Sequence, residues 1–500
     1  MQTPFRWANF LHMYQPAQQQ ADILEAIVAQ SYRPIVEGLM KNKHVRLTLN
    51  INGSLLELFD RHGYHDIIDM LRRLGESNQI EFTSSAKYHA LLPFLNEREI
   101  ERQISINNDT LSFFLGSKIK FKGFFPTEMA YDKKILPIIS AMGFEWLIID
   151  EISCTGEMNQ IDPHTLYSIA NTNLKVFFRN RRLSNLIMSA AVRSPEALLD
   201  ATHDLKVGDY VVTAMDIETF GHHRPGLEKV MFEVFATPGA ELLQLSDIAK
   251  LDWNQKIVTP VAATWASSKQ DIESNSQFLS WSDPQNAIHP KQWALMTLVL
   301  QAVDEMDPTM PEYDNVRQKM NVALASDHFW WASAKPWWSL EMIEDGAFRL
   351  MDTLRSIPDI SAEKLDEAKK LYEDITTTAF DWQRTGEIRQ MMIDQKVLVR
   401  IPFKERMASA DDAGSSIYEA FIALMRQLET KAVAKKEYEK AILWRDAVYK
   451  LENNLDIYDS LNAIELLRLE IPDPEITAMI EKYKAHYFTI RGGQPEQRGN

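Results

Sequence analysis

Cysteine is almost missing from these 500 residues: Cys154 stands alone. One thiol cannot close an intrachain disulfide, so packing must hold the fold, and a reducing compartment is the simplest setting. Long apolar runs are missing too. Even "WALMTLVLQAV" falls well short of the roughly 20 residues a membrane span needs. The start, "MQTPFRWANF", lacks the basic segment and apolar stretch of a secretory signal, so a cytoplasmic protein is expected. No basic excess exists either: 54 Lys and Arg face 70 Asp and Glu, a net charge of −16. That balance argues against nucleic acid or an anionic membrane as the main partner. HExxH and close His-x-His pairs are absent, so His12, His89 and His222 give no metal signature, and no metal or cofactor is expected.

What is present is ordinary for a globular chain, 45% hydrophobic and 25% charged, and long enough for two or three domains. Apolar, β-rich runs recur at 5–11, 45–51, 79–83, 118–125, 144–150, 174–179 and 209–215, with a weaker one at 256–264. Helix-like stretches lie between them. Alternating strands and helices imply an α/β fold with a parallel sheet, and the number of units suits a closed (β/α)7-type barrel over residues 1–270. A doubly wound open sheet is the alternative. An all-α domain over 271–405 follows, where "SAEKLDEAKKLYEDI" carries Leu365, Ala368, Leu371, Tyr372 and Ile375 at helical spacing behind a Ser361 N-cap. The polar stretch 407–416 reads as a linker, 417–490 as a C-terminal helical region, and the last ten residues as a tail.

Chemistry-bearing residues gather where a barrel displays them. His12, Asn50, Asn52, Glu128, Asp150, Glu151, Arg179 and Asp216 all fall at or just past strand ends. In "MDIETFGHH" (215–223), Asp216 and Glu218 share one parity, and a continuing strand would point both to one face. Two carboxyls on one rim, here Glu128 and Asp216, are the minimal machinery of glycoside cleavage: one attacks the anomeric carbon and the other protonates the leaving oxygen. Neutral imidazoles at His12, His89 and His222 suit sugar hydroxyls. Trp281, Trp330, Trp331, Trp337 and Trp338 offer flat faces, and core packing is the rival role for each.

Several stretches together resemble glycoside hydrolase family 57. "GFFPTEMAY" (123–131) is similar to its third motif, and "MDIETFGHH" to its fourth. "NQIEFTSSAKYHALLP" (78–93) resembles the second, where a Glu is followed by a His and a Pro. "FFRNRRLSNLI", "LSWSDPQNAIH" and "ALASDHFWWA" resemble further segments. The resemblance implies retaining α-glucan chemistry, with Glu128 as nucleophile and Asp216 as general acid/base. It implies substrate contacts at His12, Gln15, Glu81, His89, Glu218, His222, Trp281, Asp327 and Trp330. The sequence departs from the family at "HMYQP", where Met13 and Tyr14 separate His12 from Gln15, and at Thr127, Asn180, Asn185 and His223. Amylase, 4-α-glucanotransferase and branching activities all remain open. So does a catalytically weak, glucan-binding regulatory protein. For Glu218 the competing role is a rim carboxylate paired to Arg179 or Arg224.

At the C-terminal end, "QLETKAVAKKEYEKAILWRDAVYKLE" (427–452) reads as a helical hairpin with Tyr438, Ala441, Ile442, Arg445, Val448 and Leu451 on one stripe. Its "YEKAILWRD", with Glu439, Ala441, Arg445 and Asp446, resembles the UVR motif, a small interaction hairpin, which implies a protein partner.

Overall fold

Side chains along the first strand, β1 (Phe5–Met13), divide by parity: Ala8 and Phe10 enter one apolar cluster, while Trp7, Leu11 and Met13 enter another. Successive side chains of a strand point to opposite faces, and β1 is buried on both. The remaining strands are β2 (Leu47–Ile51), β3 (Ile80–Thr83), β4 (Gly123–Phe124), β5 (Trp146–Asp150), β6 (Thr165–Ile169), β7 (Lys175–Arg179), β8 (Tyr210–Asp216), β9 (Ala240–Leu242) and β10 (Asn254–Val258). In this computed structural model residues 5–190, 192–334, 337–394 and 413–452 are described, with 467, 471, 478, 479 and 482.

β1 lies between β2 and β8, β2 pairs with β3, β4 with β5 and β5 with β7, all in parallel. Two short seams complete the ring. Ser84 bridges Phe124 in parallel, and the Asn180 N–H donates to the Val212 carbonyl at 2.8 Å. The result is a ring of seven parallel strands, β1, β2, β3, β4, β5, β7 and β8. The weak candidate at 256–264 overlaps β10, which pairs with β6 off the ring. β6 and β9 had no counterpart in the sequence reading. The expected strand at 118–125 contracts to Gly123–Phe124, because Lys118 and Lys120 stay in water. Gly123 is obligatory there: a Cβ would lie 2.1 Å from the Trp146 ring.

Inside the ring, Ala8, Phe10, Trp146, Ile148, Phe177, Val212 and Ala214 form one apolar cluster, joined by Leu245, Ile248 and Trp253. Burying each large aliphatic or aromatic side chain contributes about 1.5–3 kcal/mol. Outside it, Leu47, Leu49, Ile51, Val211 and Met215 pack with residues of the surrounding helices such as Leu55, Leu58, Leu71 and Leu74.

After the barrel come helices His289–Asp304, Tyr313–Ala323, Asp327–Trp330, Leu340–Arg355 and Ala362–Thr385. Ser361 caps the last, accepting from the Lys364 N–H at 3.2 Å, and Ala368, Ile375 and Ala379 are its buried stripe. Residues 1–222 with 227–388 make one compact unit, and 223–226 with 389–500 a second.

In the second unit, helices Ala413–Ala434 and Tyr438–Glu452 pack through Phe421, Leu424, Met425, Trp444, Ala447, Val448 and Leu451. The expected stripe needs correction. Ala441, Val448 and Leu451 are buried, but Tyr438, Ile442 and Arg445 are exposed, and Trp444 and Ala447 take the inner positions. Residues 438, 442 and 445 form their own row on the 3.6-residue period, beside the inner one. Most of the expected linker, residues 407–412, and the tail lie outside the described residues.

Candidate active site

Parity decides which polar side chains meet. Tyr210, Val212 and Ala214 face the barrel interior, and Asp216 continues their series at the end of β8. His12 likewise follows Ala8 and Phe10, and its Cα is the register partner of Asp216. Asn50 and Thr83 stand at the ends of the next two strands, with Asn50 Nδ2 donating to the Thr83 hydroxyl at 3.1 Å. One end of the barrel therefore gathers the polar groups while the other is filled by Leu245, Ile248 and Trp253.

Glu128 lies on the turn after β4, with φ 60° and ψ 18°, and Met129 follows at φ 49°. Two successive non-glycine residues in the left-handed region cost on the order of 1–3 kcal/mol each, so surrounding bonds must hold them. The 263–265 segment does so. Tyr131 and Ala263 exchange backbone bonds at 2.8 and 3.2 Å, the Trp265 N–H reaches the Glu128 carbonyl at 3.3 Å, and its indole Nε1–H donates to Glu128 Oε2 at 2.7 Å. On the other oxygen, Oε1 lies 3.7 Å from His89 Nε2.

His89 and His12 meet through their Nε2 atoms at 3.2 Å, and His12 Nδ1 contacts Asn50 Oδ1 at 2.8 Å. Tyr14 stacks on His89, with centroids 3.8 Å apart, and donates its hydroxyl to Asp327 Oδ2 at 2.7 Å. Separating His12 from Gln15 thus brings an aromatic ring into the chamber. Gln15 Nε2 donates to Glu218 Oε1 at 3.1 Å, and the Tyr32 hydroxyl donates to the same oxygen.

Burial dominates the electrostatics. It raises Glu128 to about 8, with repulsion from Asp216 and Asp327 adding and the Trp265 N–H opposing. Asp327 rises to about 6 for the same first reason. Asp216 is also pushed up by burial and drawn back by the Arg179 guanidinium. Glu218 is raised by burial and then by Asp216, against the Tyr32 bond. Glu128 and Glu218 are thereby held toward the protonated form at neutral pH, while Asp216 and Asp327, raised less, ionise more readily. Burial also lowers His12 to about 4 and His89 well below its ordinary value, so both imidazoles are neutral.

Not every expected residue joins this group. Glu81 sits low on β3, where its carboxylate accepts from the Thr48 hydroxyl at 3.3 Å and the Ser246 N–H at 3.1 Å. It caps the helix Leu245–Ile248 at the closed end of the barrel. His222 contacts Gln30 Oε1 through Nδ1 at 2.7 Å. Trp281 is buried, 1% exposed, with the Trp293 indole on its carbonyl, and Trp330 packs against Trp331 and Trp337. Glu218 binds Tyr32 and Gln15 rather than Arg179, which forms a 2.9 Å ion pair with Asp150. Asn180 caps helix Arg181–Met188 and Asn185 accepts from Arg179 at 3.1 Å, so both departures keep a structural bond. The sequence reading passed over Trp265, Ser326 and Tyr32, and met Tyr14 only as an insertion. The one local cue was the Trp in "ATWASS", just past the weak strand candidate.

The model of the glycosyl hydrolase family 57 matches residues 3–261. The chain belongs to glycosyl hydrolase family 57. Among its relatives, alpha-amylase 1 of Dictyoglomus thermophilum is 23% identical over 258 residues, 50% of this chain and 35% of that protein. An alpha-amylase of Pyrococcus horikoshii is 23% identical over 231 residues, 45% of this chain and 36% of that one. The matched stretch spans about a third of the length of these relatives. Among solved structures, the 4-alpha-glucanotransferase of Thermococcus litoralis aligns with a TM-score of 0.58 at 17% identity, over 71% of this chain and 60% of that one. A family 57 branching enzyme from Thermococcus kodakaraensis gives 0.56 at 14% identity, over 74% and 95%. At such identities the family 57 structures speak for the fold alone. Among the described residues, no group of three or more His, Cys, Asp or Glu is arranged to hold a metal, and no helix is long and apolar enough to cross a membrane.

Proposed function

We propose that this chain is a retaining enzyme acting on α-glucans, with Glu128 as nucleophile and Asp216 as general acid/base. One observation carries the reading: two partly buried carboxyls, on the turn after β4 and at the end of β8, share one chamber with His12 and His89, and Asp216 helps to raise the Glu128 pKa. Retention needs carboxyls about 5–5.5 Å apart, and Asp216 lies near enough for its charge to act on Glu128.

In the first step a Glu128 oxygen bonds to the anomeric carbon as the glycosidic C–O bond breaks, and the Asp216 proton goes to the leaving oxygen. In the second, Asp216 takes a proton from the acceptor hydroxyl, whose oxygen displaces Glu128. Glu128 must be anionic to attack. Positive charge developing on the sugar ring favours that anion, and so does the Trp265 indole N–H on Oε2. The names of its relatives, amylase, 4-alpha-glucanotransferase and branching enzyme, support α-glucan as the substrate class. Incubation with maltodextrin, followed by chromatography and proton NMR of the newly formed anomer, tests the reading. Shorter, longer or branched products, first released in the α-configuration, are expected. Bound but unchanged glucan would favour a regulatory binding protein.

A second reading concerns the hairpin Tyr438–Glu452. Tyr438, Ile442 and Leu443 expose apolar surface on this helix, at 59%, 47% and 39%. That surface, with the UVR-like pattern, supports a protein-docking face. Ile442→Glu should abolish co-purification of a partner without lowering the melting temperature. Unaltered co-purification would remove this reading.

A further inference from the structure

The residues Ala325, Ser326 and Asp327 bind the segment around His89 at every step. Ala325 forms an antiparallel bridge with Ala90, the Ser326 N–H donates to the His89 carbonyl at 3.2 Å, and Asp327 takes the hydroxyl of Tyr14, whose ring covers His89. His89 itself has φ 57°, a conformation that its neighbours must enforce. Between backbone and ring lies one more contact: Ser326 Oγ is 3.1 Å from His89 Nδ1, and Ser326 is buried.

Donor and acceptor chemistry now fixes every proton in the row. Asn50 Nδ2 donates to Thr83, so Asn50 Oδ1 faces His12 as an acceptor. His12 must therefore carry its proton on Nδ1, and a neutral His12 leaves a bare lone pair on Nε2. The group facing that lone pair is His89 Nε2, 3.2 Å away. Two bare nitrogens would repel there, so His89 bears its proton on Nε2. Its Nδ1 is then an acceptor, and the buried Ser326 hydroxyl has a partner. The opposite tautomer would set lone pair against lone pair and strand the hydroxyl proton.

We infer that Ser326 is a positioning residue: its hydroxyl, donating to Nδ1, backs the His12 contact in holding His89 in the tautomer with Nε2 protonated, 3.7 Å from Glu128 Oε1. Trp265 already occupies Oε2, so Oε1 is the oxygen left to form the new bond. The His89 Nε2–H donates to His12 Nε2, and the His89 nitrogen stands 3.7 Å from Oε1, where its N–H adds a positive dipole without a direct bond. The consequence for Glu128 rests on the function proposed above. The tautomer does not.

Labelling the full-length protein with 15N-histidine and recording imidazole spectra at neutral pH reads the tautomers directly, with His12→Gln and His89→Gln assigning the signals. His89 should show a protonated Nε2 and bare Nδ1, and His12 the reverse. Ser326→Ala should move the His89 signals toward the other tautomer or a mixture, and Ser326→Thr should restore them. On maltodextrin, Ser326→Ala should lower kcat roughly tenfold with KM nearly unchanged. Its acidic pH limb should move upward, since Glu128, already crowded by Asp216 and Asp327, then faces a lone pair instead of an N–H. Protonation of His89 on Nδ1 in the native chain, or unchanged signals in Ser326→Ala, would overturn the inference. A changed tautomer with an unmoved pH profile would overturn the role at Glu128. Absence of activity in the native chain with the tautomers as stated would count against the proposed function alone.

Discussion

Trp265 holds Glu128 by both ends, its indole N–H on Oε2 at 2.7 Å and its backbone N–H on the carbonyl at 3.3 Å. The first bond favours the anion of a carboxyl that burial drives toward the neutral form. Trp265→Phe keeps an aromatic ring and removes that donor. It should lower kcat/KM roughly 10- to 100-fold, the range for losing one hydrogen bond to a charged group. The acidic limb of the pH profile should move to higher pH, because the bond opposes the upward shift. A fall in activity with an unmoved limb would assign Trp265 to substrate packing.

Glu128 also links pH to stability. Its folded pKa, about 8, lies above the ordinary glutamate value of 4.5. The folded state therefore binds the proton more tightly, and the stability this contributes is full below pH 4.5 and is lost as pH rises through 8. Glu128→Gln removes the ionisation. Melting scans should show little change at pH 5 and a gain of several degrees at pH 9. Equal shifts at both pH values would mean that Glu128 ionises freely in the fold.

The two key carboxyls differ in what replaces them. Glu128→Ala should abolish turnover, and azide should restore part of it by attacking from the vacated side. Asp216→Asn should spare α-glucosyl fluoride, whose leaving group needs no proton, and should slow release of the enzyme-bound sugar. Since burial raises Glu128 as well as Asp216, the reversed assignment makes an opposite forecast: azide rescue at position 216.

Glu218 accepts from Tyr32 and Gln15, and is raised by burial and by Asp216. A carboxyl already neutral at the working pH is well mimicked by an amide. Glu218→Gln should therefore stay within about tenfold of native kcat/KM, far milder than either change above. A loss comparable to Asp216→Asn would give Glu218 the acid role.

His12 and Asp216 were legible as strand-end residues, but the strand does not continue to put Asp216 and Glu218 on one face by parity: β8 ends at Asp216 and Ile217–Thr219 turn into a 3-10 helix. The seven ring strands announced themselves as apolar runs. The bonds around Glu128 did not, because Trp265 and Ser326 arrive from segments 137 and 198 residues further along the chain, with no periodicity to mark them. Tyr14 was visible as a departure, but its contact with Asp327 spans 313 residues. Glu81 has the inward parity that suggested a substrate contact. Parity fixes the face of a strand and not the height, and Glu81 is at the wrong end.

The most direct test of the account is covalent capture. Incubating the native chain with 5-fluoro-α-glucosyl fluoride should trap the glycosyl-enzyme, since the ring fluorine slows its breakdown more than its formation. Peptide mass spectrometry should then find the sugar on Glu128. A label on Asp216, or β-configured product with no label on either carboxyl, would contradict it.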